Sequence, residues 1–314
     1  MKYYLGIDIG GTFVKGVLAD ESGKILADGS VSTGAEDGGE NMCENIASLC
    51  ADLQKRAGVK ACAAGAGCPG MISEDGAVLF AGNLGLKNFP LKARLSDLLK
   101  MPVTVTNDAN AAALGEAAFG AGKSFSDSVF ITLGTGVGGG IIIGGRLFTG
   151  GKNAGAEIGH MVIKHGGEKC TCGRRGCFEA YSSATALIRD TRKAMEEDKS
   201  SAMWKCGGPD KVTGKTAFDY ADGDPAAKKV VDEYIYDLAC GIINLANIFR
   251  PQAVILGGGV AEQGESLIAP LQERLDKKIF GGQTYAPVKI VKASLGNLAG
   301  ALGASAACRG GQVL

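Results

Sequence analysis

The sequence carries no excess of charge: 33 Lys and Arg balance 33 Asp and Glu, for a formal net charge of zero. That removes the electrostatic case for a nucleic-acid or membrane-surface partner. No apolar run approaches the roughly 20 residues that span a bilayer. The amino terminus, MKYYLGIDIGGT, lacks the layout of a signal peptide and reads directly as a strand. The 50 glycines are about twice the average share, yet they show no G-X-Y period, which excludes a collagen-like chain. The glycine cluster at 257–259 lacks the spacing of a dinucleotide fingerprint, so the chain does not read as a Rossmann oxidoreductase. There are only two histidines, and both lie in one short stretch.

What is present describes an ordinary globular chain. With 314 residues, 46% hydrophobic and 21% charged, it can bury a substantial core and is expected to form two domains. Seven cysteines, at 43, 50, 62, 68, 206, 240 and 308, are scattered, most in apolar or small-residue contexts, and read as buried thiols. Together these features point to a reducing cytoplasm.

The densest chemistry lies between Gly155 and Ala180, GAEIGHMVIKHGGEKCTCGRRGCFEA. Cys170, Cys172 and Cys177 have the spacing C-x-C-x4-C, with Gly173 and Gly176 between them as turn formers. Cytosolic cysteines at such spacing favour a metal over a disulfide, and structural zinc takes four ligands. The fourth is His160 or His165. His160 is favoured, because ten residues of chain can fold back to close the site. The plain alternative is a loop of inert reduced thiols. A pinned loop would also fix the direction of Glu157 and Glu179, carboxylates able to accept from sugar hydroxyls or to sit in ion pairs. One ring nitrogen of His160 would face the metal and leave the other as a donor.

Two strand–glycine turn–strand segments recur about 120 residues apart. Residues 3–9 form a strand, Gly10, Gly11 and Thr12 turn, FVKGVLAD returns, and KILADGSVST adds a third strand. Residues 128–133 form a strand, Gly134, Thr135 and Gly136 begin a turn running to Gly140, and IIIGGRLF returns. The recurrence suggests a duplicated domain. Exposed N–H groups in such turns can cradle phosphate, with Asp8 orienting a metal-bound water; each alone is equally an everyday hairpin. A third cluster, Gly257, Gly258 and Gly259, follows a buried strand and precedes a helix, where a base or ribose can approach the backbone.

Elsewhere helix and strand alternate. Met42, Ile46, Leu49 and Leu53 mark an amphipathic helix. Residues 59–67 read as a buried strand, Asn83 as part of a loop, 91–100 as a helix and 102–106 as a strand. This last strand delivers Asn107 and Asp108 to its carboxyl end, ahead of the alanine-rich helix ANAAALGEAAFGAG. Such strand ends hold active-site residues in open α/β sheets. Asp108 can take a proton from an attacking hydroxyl, and a nearby helix start would keep it ionised. Either Asn107 or Asp108 could instead cap the helix, and one can cap while the other points out. Further helices are expected over 180–197, 216–222, 224–250, 266–280 and 297–308. The apolar face of 224–250 includes Ile248, and residues 198–216, with the single Trp204, form an excursion.

GIDIGGTFVKG, NDANAAALGE, LGTGVGGGI, GAEIGHMVI, CTCGRRGCFEA and ILGGGV together resemble the ROK family of bacterial sugar kinases and sugar-responsive repressors, most of all its glucokinase branch. The likeness covers essentially the whole chain. It implies an α/β, actin/hexokinase-like (ribonuclease H-like) fold of two domains with a cleft: a smaller one of residues 1–115 plus 297–314, and a larger one of 116–296 carrying the zinc loop. It implies ATP, with its magnesium, at Gly10, Gly11, Thr12, Gly134, Thr135 and Gly136, and adenosine near Gly257 and Gly258. By the same likeness Asp108 is the base for a hexose 6-hydroxyl. Asn83, Asn107, Glu157, His160 and Glu179 hold the sugar, and His160, Cys170, Cys172 and Cys177 hold structural zinc. A homodimer and a place in glycolysis go with it. One departure concerns the segment AGNLGLKNF, which lacks the Pro before Asn83 and the Trp a few residues after it that relatives often carry.

Other hexoses, among them N-acetylmannosamine, N-acetylglucosamine, fructose and allose, would meet the same motif residues. Polyphosphate or ADP as donor also stays open. A regulator of the same family would need a helix-turn-helix ahead of the first hairpin, and a strand starting at residue 3 is expected to leave no room for one.

Overall fold

The computed structural model describes residues 1–310. The chain begins with β1 (Tyr3–Ile9), β2 (Phe13–Asp20), β3 (Ile25–Ser32), α1 (Gly39–Ala57) and β4 (Ala63–Cys68). A small hairpin region follows: β5 (Met71–Ile72), β6 (Val78–Ala81) and β7 (Leu86–Phe89). Then come α2 (Leu91–Leu99), β8 (Val103–Asn107), α3 (Asp108–Phe119), β9 (Ser128–Leu133), β10 (Val137–Ile143) and β11 (Arg146–Phe148). The rest comprises α4 (Glu179–Ser182), α5 (Ala184–Glu197), α6 (Thr216–Tyr220), α7 (Pro225–Phe249), β12 (Ala253–Gly257), α8 (Glu265–Lys278), β13 (Lys289–Lys292) and α9 (Ala299–Ala307).

One sheet has the order β3-β2-β1-β4-β8 and a second the order β11-β10-β9-β12-β13. The same arrangement, a three-strand meander followed by crossover strands, occurs twice, as the recurring glycine turns suggest. In the first sheet β1 pairs antiparallel with β2 and parallel with β4, and β4 pairs parallel with β8. The register Cys68↔Asn107 brings the carboxyl ends of β4 and β8 level.

The chain divides into two compact units. The first is Met1–Phe130, Gly140–Ala156 and Ser294–Leu314, and the second is Ile131–Gly139 and Glu157–Ala293. The smaller domain expected over 1–115 plus 297–314 lies within the first, its last four residues outside the described ones. In that unit α1 packs Met42, Ile46, Leu49 and Leu53, all buried, against Leu5, Ile7, Val14 and Leu18 of the sheet. The small-residue helix α9 lies against β1, β4 and α3 so closely that a Cβ on Gly6, Gly65 or Gly303 would run into the backbone of Ala301, Ala304 or Ala111.

Several expectations need correction. The turn after β9 ends at Gly136, because Val137 already pairs as strand and Gly138–Gly140 lie inside β10. IIIGGRLF is not one strand: Gly144 and Gly145 both have positive φ and turn β10 into β11. Residues 59–62 precede β4 rather than belong to it. The helix over 180–197 is two, parted at Ser183, whose extended backbone caps α5 by accepting from Ala186 N–H at 3.1 Å. Ile248 is 67% exposed and is not part of the core face of α7. Asn83 sits in the 3-10 turn Gly82–Leu84 between β6 and β7, so AGNLGLKNF is a hairpin and not an open loop. Among the described residues, no helix is long and apolar enough to cross a membrane.

Candidate active site

In the first unit the carboxyl ends of β1 and β8 carry two acids, Asp8 and Asp108. Asn107 is the N-cap of α3: its Oδ1 accepts from Ala109 N–H at 2.9 Å and from Asn110 N–H at 3.2 Å. Its Nδ2 donates to Gly70 O at 3.2 Å, which leaves one amide hydrogen. Asn107 therefore does the capping, and Asp108 is released from it as the first residue of the helix. The helix start does not keep Asp108 at its ordinary pKa. Burial raises it, against the lowering by the N–H groups of Ala109 and Asp108 and by Asn107. Asp8 is pushed up to about 6, mainly by burial, with the neighbouring Asp108 charge adding to the rise and Lys15 opposing it. Gly300 near the start of α9 makes room for Asp8: a Cβ there would lie 2.7 Å from its Cγ.

The Gly10–Thr12 turn begins where β1 ends, beside Asp8. Gly10 N–H closes onto Phe13 O at 3.0 Å, and Thr33 holds the turn from behind, through N–H to Thr12 O at 2.9 Å and Oγ1 to Gly10 O at 2.7 Å. Gly11 and Thr12 are exposed. The exposed Asn83 is their neighbour, since a Cβ on Gly11 would lie 3.8 Å from its Cβ. Asp8, Gly10, Gly11, Thr12, Asn83, Asn107 and Asp108 all belong to this unit.

The second unit holds the cysteine loop. One ligand atom from each of His160, Cys170, Cys172 and Cys177 lies within 4.8 Å of the others. Cys170 Sγ is 3.6 Å from His160 Nδ1, and Cys172 Sγ is 3.7 Å from Cys177 Sγ. A tetrahedron of Zn–S bonds near 2.3 Å requires sulfur separations of about 3.8 Å, so the four side chains fit zinc. The structure chooses His160 over His165. All ten cysteines are free thiols.

Glu179 joins this loop to the second glycine turn. Its Oε1 accepts from Thr171 Oγ1 at 3.1 Å and lies 3.5 Å from Cys170 Sγ, while its Oε2 accepts from Val137 N–H at 3.1 Å. Glu157 is exposed, with no carboxylate partner among the described residues. It follows Ala156, whose φ of 65° is unusual for a residue with a Cβ and marks a constrained approach. In the Gly134–Gly136 turn, Gly134 O accepts from Ala184 N–H at 2.8 Å and Thr135 O from Thr185 Oγ1 at 2.7 Å. Gly258 meets this region from β12. Its φ is 83°, and a Cβ on it would lie 2.6 Å from Leu133 N, so only glycine fits. Gly257 ends β12 buried, and Gly258 and Gly259 are exposed.

Thr33 and Thr185 were not legible as site residues. They stand 23 and 50 residues from the carbonyls they bind, and a single threonine leaves no spacing signal.

The ROK family profile matches residues 4–310. A glucokinase of Thermotoga maritima is 40% identical over 308 residues, covering 96% of this chain and 95% of that protein. A glucokinase of Halalkalibacterium halodurans is 38% identical over 320 residues, covering 96% and 93%. The crystal structure of a ROK family glucokinase from Streptomyces griseus, in complex with glucose and AMPPNP, superposes with a TM-score of 0.83 at 36% identity and covers 98% of this chain and 99% of that one. With the repeated strand order, this likeness gives the actin/hexokinase-like two-domain fold.

Proposed function

The chain belongs to the ROK family, and from that premise we propose that it is an ATP-dependent glucokinase, which transfers the γ-phosphoryl group to the 6-hydroxyl of glucose. One observation carries the reading: a half-buried base, a second carboxylate and an exposed turn with unpartnered N–H groups at Gly11 and Thr12 converge at the strand ends of a single unit. Asp108 accepts the proton of the 6-hydroxyl as that oxygen attacks the γ-phosphorus. The O–P bond to the sugar forms, the bond to the β-phosphate oxygen breaks, and ADP leaves. Burial raises the proton affinity of Asp108 and so makes it a better base than an exposed aspartate.

Asn83, the remaining amide hydrogen of Asn107, Glu157, His160 through Nε2, and Glu179 bind sugar hydroxyls. In the Gly10–Thr12 and Gly134–Gly136 turns the N–H groups of Gly11, Thr12, Thr135 and Gly136 receive the phosphates, and Gly257 and Gly258 lie beside adenosine. Asp8 would hold magnesium, which when bound neutralises phosphate charge. Zinc on His160, Cys170, Cys172 and Cys177 is structural, because four protein ligands leave no open position. The free thiols support a cytoplasmic enzyme, and the family likeness supports a homodimer, testable by sedimentation.

The test is ADP release with ATP over a panel of glucose, N-acetylmannosamine, N-acetylglucosamine, fructose and allose. Glucose should give the highest kcat/KM. Preference for another sugar would reassign the substrate, and no release with any would reject the kinase reading.

A further inference from the structure

The two glycine turns share a construction. In the first unit the Thr33 hydroxyl donates to Gly10 O at 2.7 Å, and in the second the Thr185 hydroxyl donates to Thr135 O at 2.7 Å. Neighbouring carbonyls are drawn back in the same way, Thr12 O by Thr33 N–H at 2.9 Å and Gly134 O by Ala184 N–H at 2.8 Å. Gly134 N–H closes onto Gly136 O at 3.1 Å. The N–H groups of Gly11, Thr12, Thr135 and Gly136 are left without partners among the described residues.

A glycine-rich turn has little intrinsic preference for which side of each peptide plane faces outward. A carbonyl turned outward would repel phosphate, whereas an N–H attracts it. The hydroxyl settles the choice by binding the oxygen from behind. Thr33 is fully buried. Thr185 sits at the start of α5, where Ser183 already supplies the cap, so its hydroxyl is free for the turn. Neither residue borders its turn in sequence, yet each ends with its hydroxyl on a turn carbonyl.

We propose that Thr33 and Thr185 are positioning residues that orient the peptide planes of the two turns for nucleotide phosphates. This rests on reading the turns as phosphate sites. Valine keeps the shape of threonine and removes the donor; serine restores the donor.

The experiment is calorimetric titration of ADP and, separately, of glucose into the parent chain and into Thr33→Val, Thr33→Ser, Thr185→Val and Thr185→Ser. Losing one such hydrogen bond should weaken ADP about five- to tenfold, leave glucose affinity within about twofold, and be largely reversed by serine. Unchanged ADP affinity in the valine variants, or a parallel loss of glucose affinity, overturns the proposal. A parent chain that binds glucose but not ADP would instead overturn the phosphate reading beneath it.

Discussion

Replacing Asp8 with asparagine separates what this carboxylate costs the fold from what it supplies to the reaction. Its pKa rises from 3.8 to about 6 on folding, chiefly through burial. The folded chain therefore binds more protons than the unfolded chain between those values, and stability falls as pH rises through that window. That rise corresponds to about 3 kcal/mol of destabilisation, fully present above pH ~6.5 and reduced to about 1 kcal/mol near pH 4.5. Asp8→Asn removes the charge with little change of volume beside Gly300. Urea unfolding should show the variant more stable than the parent near pH 7.5, with a gain about 2 kcal/mol smaller near pH 4.5. Turnover with ATP should fall about 100-fold, because the carboxylate assigned to the cation is gone. An equal difference at the two pH values, or a less stable variant near pH 7.5, would show that burial does not hold the Asp8 pKa up.

Chelation, or Cys172→Ser, should release one equivalent of zinc per chain by metal analysis, lower the melting temperature and raise the KM for glucose, since the loop holding His160 and Glu179 loses its clamp. Gly303→Ala should cost ~3 kcal/mol or more, or prevent folding, because the new methyl would enter the backbone of Ala111; circular dichroism melting reads this directly. As pH falls through about 6, kcat/KM should fall as Asp8 becomes protonated, and a profile flat to pH ~5 would argue against a role for the ionised group.

The parts legible in the sequence were those written at short range. Three cysteines within eight residues announce a cluster of side chains able to hold a metal, and the strand before Asn107 and the alanine-rich helix after it place Asp108 at a strand end. The core helix α1 was plain from its spacing. What escaped depends on partners distant in sequence. The hairpin around Asn83 gave no alternating pattern, because Leu79 and Phe80 are adjacent and both exposed. Glycines 138–140 look like turn residues but extend a strand, since Gly140 lies against Ala113 of α3 with no space for a Cβ. The effect of burial on Asp108 outweighs the helix start, a balance that only packing sets. For Glu179 the sequence leaves sugar hydroxyls and ion pairs open as partners; its bond to Val137 N–H, 42 residues back, is visible only once the loop is folded.

The most direct measurement is identification of the product by 31P NMR after incubation with ATP, magnesium and glucose, with Asp108→Asn run alongside. The parent chain should give glucose 6-phosphate. The variant should be slower by at least about 100-fold, with glucose affinity retained. Phosphate transfer by Asp108→Asn at the parental rate, or an ester at another carbon, would contradict Asp108 as the base for the 6-hydroxyl.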